Sequence, residues 1–443
     1  VTQAIADYIN SRRHNKRPQV VVGYDTRFLS KEFADETAKV LSANNIRVLL
    51  SDRDVPTPVI AYHVIKARCA GGINFTASHN PPCYNGIKFS PESGGPAPPE
   101  VTGIIERNIA RLKKKPRPVY KSKPSLIRTF DPRPPYLKQI EKIIDFKAIE
   151  KASLKIAVDC LYGTSRGYLD LLLKKHNCSI EVMHDYINPY FDGKRPEPAP
   201  ENIPELIALV KKKRLNLGLA TDGDADRFGI VDSDGTYITP NQVITLLFSH
   251  LLRTRRPRKK TVARTVATTH MIDAIARANN IEVIETPVGF KYFVDPIIGG
   301  DCVIAGEESG GLSMSGHLPE KDGILACLLI TEMVAINKKP IRDILKSLYK
   351  EYGRLYSDRI DLALSQSKKN QLIKCVKSPS LKALGGLKIA KRDTKDGVRL
   401  FMEDGSWVLF RPSGTEPIVR VYFESKSKAT LSKLIKAGKK IAS

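Results

Sequence analysis

The chain has 443 residues, 42% of them hydrophobic and 27% charged, a balance that excludes wholesale disorder and, at roughly 150 residues per domain, suggests three or four domains. Its 72 Lys and Arg against 47 Asp and Glu leave a net charge of +25, which favours anionic partners: phosphorylated substrates, nucleic acid or anionic lipid. No run of about 18 uncharged apolar residues occurs, so no membrane-spanning helix is expected. Seven scattered cysteines without a CxxC pair fit a reducing, cytoplasmic setting better than a disulfide scaffold.

Short β-branched runs alternate with amphipathic stretches. Val20-Val21-Val22-Gly23 predicts a buried strand, residues 31–44 a helix and residues 47–51 the next strand. The alternation returns at Lys155-Ile156-Ala157-Val158, at residues 215–220 and at Thr261-Val262-Ala263. Such spacing predicts parallel sheets with right-handed crossovers, whose sites lie in loops past the strands' carboxyl ends. Residues 112–124 are Lys-, Arg- and Pro-rich and read as a linker; residues 132–135 form a second stop before a helix near 136–151. Residues 253–260 read as a solvated basic loop. From residue 353 the character changes, with hairpin-like alternation over 397–410. The expected organisation is three α/β units (1–120, 121–238 and 239–352) followed by a smaller α+β unit (353–443).

Four segments carry chemistry. Thr76-Ala77-Ser78-His79-Asn80-Pro81 follows the apolar run Gly72-Ile73-Asn74-Phe75, placing a hydroxyl beside an imidazole at a strand end. Pro81-Pro82 and Asn85-Gly86 would turn the loop back and bring Lys88 near. Asp222-Gly223-Asp224-Ala225-Asp226-Arg227 sets three carboxylates at alternate positions, expected to point to one side of an extended loop, and only a cation makes that crowding tolerable. An EF-hand is rejected, because the sixth position is Arg227 rather than Gly and the twelfth is Ser233 rather than Glu. With three carboxylates, a hard ion such as Mg²⁺ would need further oxygens. Gly306-Glu307-Glu308-Ser309-Gly310-Gly311 can accept hydrogen bonds from sugar hydroxyls. Arg411-Pro412-Ser413-Gly414-Thr415-Glu416-Pro417 offers hydroxyls, backbone N–H groups and a guanidinium around an anion.

Together and in this order, the four segments resemble those of the α-D-phosphohexomutase superfamily, which includes phosphoglucomutase and phosphomannomutase. Gly23-Tyr24-Asp25-Thr26-Arg27, Thr286-Pro287-Val288-Gly289-Phe290-Lys291 and Glu320-Lys321-Asp322-Gly323 match as well, so the resemblance runs nearly the whole chain. It implies four domains around a central cleft, three of a shared α/β fold and a smaller α+β fourth. It implies Ser78 as the phosphorylated catalytic residue, with Asp222, Asp224 and Asp226 holding Mg²⁺ together with the phosphoserine oxygen. It implies Glu307 and Ser309 as readers of sugar hydroxyls, aided by Gly289, Phe290, Lys291 and Arg227. It implies Arg411, Ser413, Gly414 and Thr415 as the grip on the non-transferring phosphate. The expected substrates are hexose monophosphates, with a hexose 1,6-bisphosphate as activator, acting on a monomer or dimer. His79, Lys88 and Lys321 are candidates for the general base, and the residues do not choose among them.

There are departures. Many relatives open with a Gly-Thr-x-Gly-x-Arg-Gly segment before the first long helix; this chain begins inside that helix, so the segment's arginine is absent and the first sheet is expected to lack a strand. Gly310-Gly311 stands where some phosphomannomutases carry His, which leans towards glucose phosphate. Two rivals come from other classes. A nucleic-acid-binding protein would use the +25 charge, but the basic residues are spread along the chain and no recognition motif is present. A Mg²⁺-dependent sugar phosphatase with an Asp nucleophile would leave Ser78 and the Arg411 loop without a task.

Overall fold

A computed structural model describes residues 1–12, 16–116, 121–255, 261–413 and 417–442. Four sheets follow one another along the chain. The first runs, edge to edge, Ile87–Pro91, Gly71–Phe75, Gln19–Tyr24, Arg47–Ser51 and Ile127–Phe130. The second runs Tyr237–Ile238, Phe228–Asp232, Leu217–Thr221, Lys155–Asp159 and Ser179–Met183. The third runs Glu282–Thr286, Thr261–Thr265, Cys302–Gly306 and Leu312–Ser313. In each, parallel strands joined through helices give way at one edge to antiparallel pairing, one pair in the first and third sheets and two in the second, so the sheets are mixed rather than wholly parallel. The antiparallel partner is the strand that returns directly after each site loop, because a short loop can only reverse the chain. The fourth sheet is six-stranded and antiparallel, with helices Gln366–Lys377 and Lys428–Ala442 packed on it.

Several local expectations shift. The expected linker at 112–124 is entered by a helix, Pro99–Lys114, whose basic last turn suits the negative end of the helix dipole. Residues 117–120 of that stretch lie outside the described residues. Ile127–Phe130 then pairs in parallel with Arg47–Ser51, so a strand beyond residue 120 closes the first sheet. The helix expected near 136–151 is two helices, Arg133–Ile143 and Phe146–Ala152; Asp145 breaks the run by capping the second through Ala148 N. Arg253 and Arg255 belong to the last turn of helix Pro240–Arg255 rather than to a loop, and the rest of that basic stretch, 256–260, lies outside the described residues. The 397–410 alternation does form a hairpin, Val398–Met402 with Trp407–Pro412.

The first three units share one continuous apolar core, from Val21 and Ile60 through Ile156 and Leu219 to Ile304 and Leu328. Helix Gly323–Asn337 carries this continuity: it is buried along almost its whole length and packs on the second sheet and on helix Phe146–Ala152. Its one charged side chain, Glu332, is fully buried and accepts bonds from His250 Nε2 (2.8 Å), Arg255 Nη2 (2.6 Å) and Asp145 N (2.7 Å). Removing one member of such a network strands the others in a low dielectric. Glu332→Ala should therefore lose about 3–5 kcal/mol, read as a lowered denaturation midpoint, whereas Leu171→Ala on an exposed helix face should change it by less than about 0.5 kcal/mol.

Candidate active site

Ser78 lies just past strand Gly71–Phe75 with φ at 51°, in the left-handed region that costs a non-glycine residue on the order of 1–3 kcal/mol. The strain is held from two sides. Thr76 Oγ1 accepts from Ser78 N at 2.8 Å. Arg27 donates to the carbonyls of Ser78 (2.7 Å), Asn80 (2.6 Å), Pro81 (2.8 Å) and Tyr84 (3.0 Å), while its Nε is paired with buried Asp25 at 3.1 Å. One guanidinium thus fixes the whole turn of the serine loop.

The aspartate loop joins Leu217–Thr221 to Phe228–Asp232. It is a tight turn rather than the expected extended segment: Ala225 has φ at 54°, and Ala225 N donates to Asp222 O at 2.9 Å. The three carboxylates converge because the turn folds them inward, to within 4.8 Å of one another, and all are fully buried. Gly223 and Gly323 permit the approach of neighbouring loops. A Cβ on Gly223 would stand 2.8 Å from Ser78 O, and one on Gly323 would strike Arg227 O. Gly323 N instead donates to Ala225 O at 3.0 Å, so the third unit's helix start is bonded to this loop.

Ser78 Oγ donates to Asp222 Oδ2 at 2.9 Å. Lys88 Nζ meets Asp224 Oδ2 at 2.6 Å and Asp226 Oδ2 at 3.0 Å, and Lys321 Nζ meets Asp226 Oδ2 at 2.8 Å. Thr57 Oγ1 donates to Asp224 Oδ2 as well. Burial pushes Asp226 up, but Lys321, Lys88 and Arg227 outweigh it and hold its carboxyl below the ordinary range. Asp222 is raised well above that range, by burial and then by Asp226 and Asp224. The oxygens Asp224 Oδ1 and Asp226 Oδ1 are buried without a hydrogen-bond partner among the described residues. Partnerless carboxylate oxygens beside a third carboxylate that the protein's own cations leave uncompensated fit a hard divalent cation, and this donor set suits Mg²⁺.

The three base candidates separate. Lys88 and Lys321 are both ion-paired, and those carboxylates raise their ammonium groups above the ordinary range against the opposing effect of burial. His79 Nδ1 lies 3.5 Å from Ser78 Oγ, and burial, then the Arg227 charge, pushes its imidazole down to about 3.

In the sugar loop Glu307 is buried, its carboxyl raised by burial, and its Oε1 accepts from Gly289 N at 2.9 Å. Gly289 has φ at 135°, beyond the reach of most side-chain-bearing residues. Phe290 is buried against Phe293, and Lys291 Nζ lies over the Tyr292 ring. A Cβ on Gly311 would meet Lys321 Cδ at 2.5 Å, so this glycine makes room for the lysine stem. Ser309, Glu308 and Arg227 line a cavity of about 730 Å³ that also meets Arg359 and Tyr422 of the fourth unit, the size of a small-molecule site. Ser78 does not line it. Arg411 Nε is bonded to Asp396 Oδ2 at 2.8 Å, and the same oxygen accepts from Val288 N at 2.8 Å. Ser413 is buried, and Gly414 and Thr415 lie outside the described residues.

A serine at a strand end beside three caged carboxylates, with an arginine-bearing loop on the fourth unit, fits an enzyme that acts on a phosphorylated small molecule. Comparison with known proteins narrows the class. The phosphoglucomutase/phosphomannomutase alpha/beta/alpha domains I, II and III match residues 1–116, 134–235 and 239–352, and the C-terminal domain of that family matches 370–437. A phosphoglucomutase/phosphomannomutase of Thermococcus kodakarensis is 30% identical, over 97% of this chain and 91% of that protein. A phosphoglucosamine mutase candidate of Methanothermobacter thermautotrophicus is 30% identical, over 92% of this chain and 86% of its own. A crystal structure of a phosphomannomutase candidate from Thermus thermophilus superposes with a TM-score of 0.86 at 32% identity, covering 99% of this chain and 93% of that one. The chain belongs to the α-D-phosphohexomutase superfamily, the phosphoglucomutase/phosphomannomutase family of Mg²⁺-dependent isomerases. Neither the nucleic-acid reading nor the phosphatase reading is favoured. No helix among the described residues is long and apolar enough to cross a membrane.

Sequence reasoning gave no task to Arg27, Thr57 or Asp396. Arg27 stood inside a quoted motif, but its four carbonyl contacts are long-range and invisible in spacing. Arg27→Lys replaces a five-donor fork by a point charge, so the serine loop loses part of its clamp. The expected outcome is an intact fold by circular dichroism with kcat lowered about a hundredfold, the cost of an ångström-scale misplacement of the reacting group.

Proposed function

We propose that this enzyme interconverts hexose 1-phosphate and hexose 6-phosphate through phospho-Ser78 and a bisphosphorylated sugar, with glucose phosphate preferred and mannose phosphate also turned over. The observation that carries this reading is the Ser78 hydroxyl 2.9 Å from Asp222, at the edge of a buried three-carboxylate cage. Asp222, Asp224 and Asp226 would hold Mg²⁺ with an oxygen of phospho-Ser78; bound there, the ion supplies charge neutralisation for the transferring group. Lys88 and Lys321, kept charged by the same aspartates, would offset charge that spreads onto the oxygens of the transferring group. His79 stands beside the serine oxygen, where it can accept the proton of the incoming sugar hydroxyl. The P–O bond to Ser78 breaks as the bond to that hydroxyl forms. The bisphosphate then turns over, and its other phosphate returns to Ser78.

One phosphate grip must serve both orientations. Arg411, oriented by Asp396, is suited to this, with Ser413, Gly414 and Thr415 of the same loop in the role the resemblance assigns them. Glu307 and Ser309 would read ring hydroxyls away from the reacting phosphate, with Gly289, Phe290, Lys291 and Arg227 shaping that side.

Ser78→Ala should abolish turnover by at least about 10⁴-fold, because no neighbour can carry the covalent phosphate, and intact mass should show one phosphate on the native chain and none on the variant. A variant that kept a substantial kcat would overturn the assignment and favour an Asp nucleophile. The sugar loop bears no side chain at Gly310 or Gly311 to reach the C2 hydroxyl, where glucose and mannose differ. The ratio of kcat/KM for glucose 1-phosphate over mannose 1-phosphate should therefore exceed one but stay below about a thousand, which corresponds to roughly 4 kcal/mol. A larger ratio would mean that a residue outside this loop reads C2.

A further inference from the structure

The fourth unit carries a basic groove whose lining includes none of the caged aspartates. Residues 353–443 contain twenty Lys and Arg against eight Asp and Glu, so about half of the net positive charge sits in a fifth of the chain. One groove of about 1070 Å³ runs along helix Gln366–Lys377. Its helical wall is Gln366, Lys369, Asn370, Ile373, Lys374 and Lys377. That spacing of three and four places all six on a single stripe of the helix. The facing wall is Ser378 and Pro379 after the helix, with Pro412, Ser413 and Pro417 from the flanks of the arginine loop.

Among the described residues the wall chemistry is one-sided. Three of the six helical residues are lysines, the amides and hydroxyls add donors, and no carboxylate is among the described residues that line it. The cavity beside the sugar loop, by contrast, is lined by Glu197, Glu201, Glu308 and Asp358 among its cations. Lys374 and Lys377 are exposed, and neither forms an ion pair with a described residue. Lys369 is buried and donates to Ser413 O at 3.1 Å, so the groove floor is bonded to the arginine loop. Two unneutralised cations and a buried third over an apolar Ile373–Pro412 floor set up a concave site for several adjacent negative charges.

We infer that this groove binds a compact small molecule carrying two or more linked phosphate groups, at a site separate from the catalytic cleft. Lys374 and Lys377 supply the charge at its mouth, and Lys369 connects it to Ser413. Linked phosphates suit the groove better than a single one, because the lysines lie along eight residues of helix, about 12 Å. The site shares Pro412, Ser413 and Pro417 with the arginine loop of the mutase reading, and its lysine stripe lies outside every loop of that reading.

The test is calorimetric titration of the full chain with inorganic tripolyphosphate, with ATP free of divalent cation and with inorganic phosphate, all at one fixed ionic strength. Native chain, a Lys374→Glu/Lys377→Glu double variant and Arg411→Ala are compared. Both lysines are exposed, so the double variant should keep its fold and its basal turnover. Tripolyphosphate should bind the native chain and Arg411→Ala alike, weaken at least about tenfold in the double variant, and bind tighter than phosphate. Similar affinity for ATP would identify the phosphate chain as the recognised group; a further gain with ATP would identify a nucleotide whose base lies on Ile373 and the prolines. Binding unaltered by the double variant, or lost in Arg411→Ala alone, would place the anion in the catalytic cleft and overturn the inference. So would tight retention of single-stranded DNA by a chain that ignores both small polyphosphates.

Discussion

Three carboxylates buried within 4.8 Å of one another are the constraint around which the first three units are arranged. Left alone, such a cluster would expel its charge by taking up protons. The protein answers by bringing cations from outside the loop that carries the acids: Lys88 from the first unit and Lys321 from the third. Thr57 and the Gly323 amide add bonds from the same two units. The acidic loop belongs to the second unit and supplies Arg227 itself, but two of the three cations that compensate Asp226 come from the other two units. The compensation is incomplete at Asp222 and at two orphaned oxygens, which is what a site for a divalent ion requires.

Much of this was legible in the residues, and for identifiable reasons. Strands such as Gln19–Tyr24 and Lys155–Asp159 announce themselves because their central runs, Val20-Val21-Val22 and Ile156-Ala157-Val158, are apolar and buried on both faces. The serine, aspartate, sugar and arginine segments are each local, so their order along the chain could be matched to a family. What was hidden is non-local. Ile127–Phe130, between the linker at 112–124 and the stop at 132–135, carries no strand signal of its own, because only its partner strand defines it as an edge. Alternation of the aspartates predicts an extended loop; Ala225 in the left-handed region reaches the same convergence through a turn. The clamp by Arg27 depends on where four carbonyls fold, and Asp396 ties Arg411 to Val288 across more than a hundred residues of sequence.

The join between third and fourth units follows a different chemistry from the joins among the first three. Glu285 bridges Arg264 and Arg399, and buried Glu424 accepts from His270 N, Ser357 and Trp407 while also meeting Thr269. A small apolar patch of Val266, Ala267, Trp407, Leu409 and Tyr422 lies beside them. Polar latches around a small patch resemble an interface between partners more than the interior of one body.

That contrast makes the molecule unequally divisible. The apolar interior of the first three units is shared, so a cut between any two of them would open a surface that neither half could cover with water-compatible groups. The interior of the fourth unit, from Leu372 and Val376 to Phe423 and Leu434, is its own. For anyone rebuilding the protein, the seam near Gly353 is therefore the place where pieces can be exchanged: a last unit from a relative could be grafted there, and carry its own arginine loop with it, without repacking the shared body.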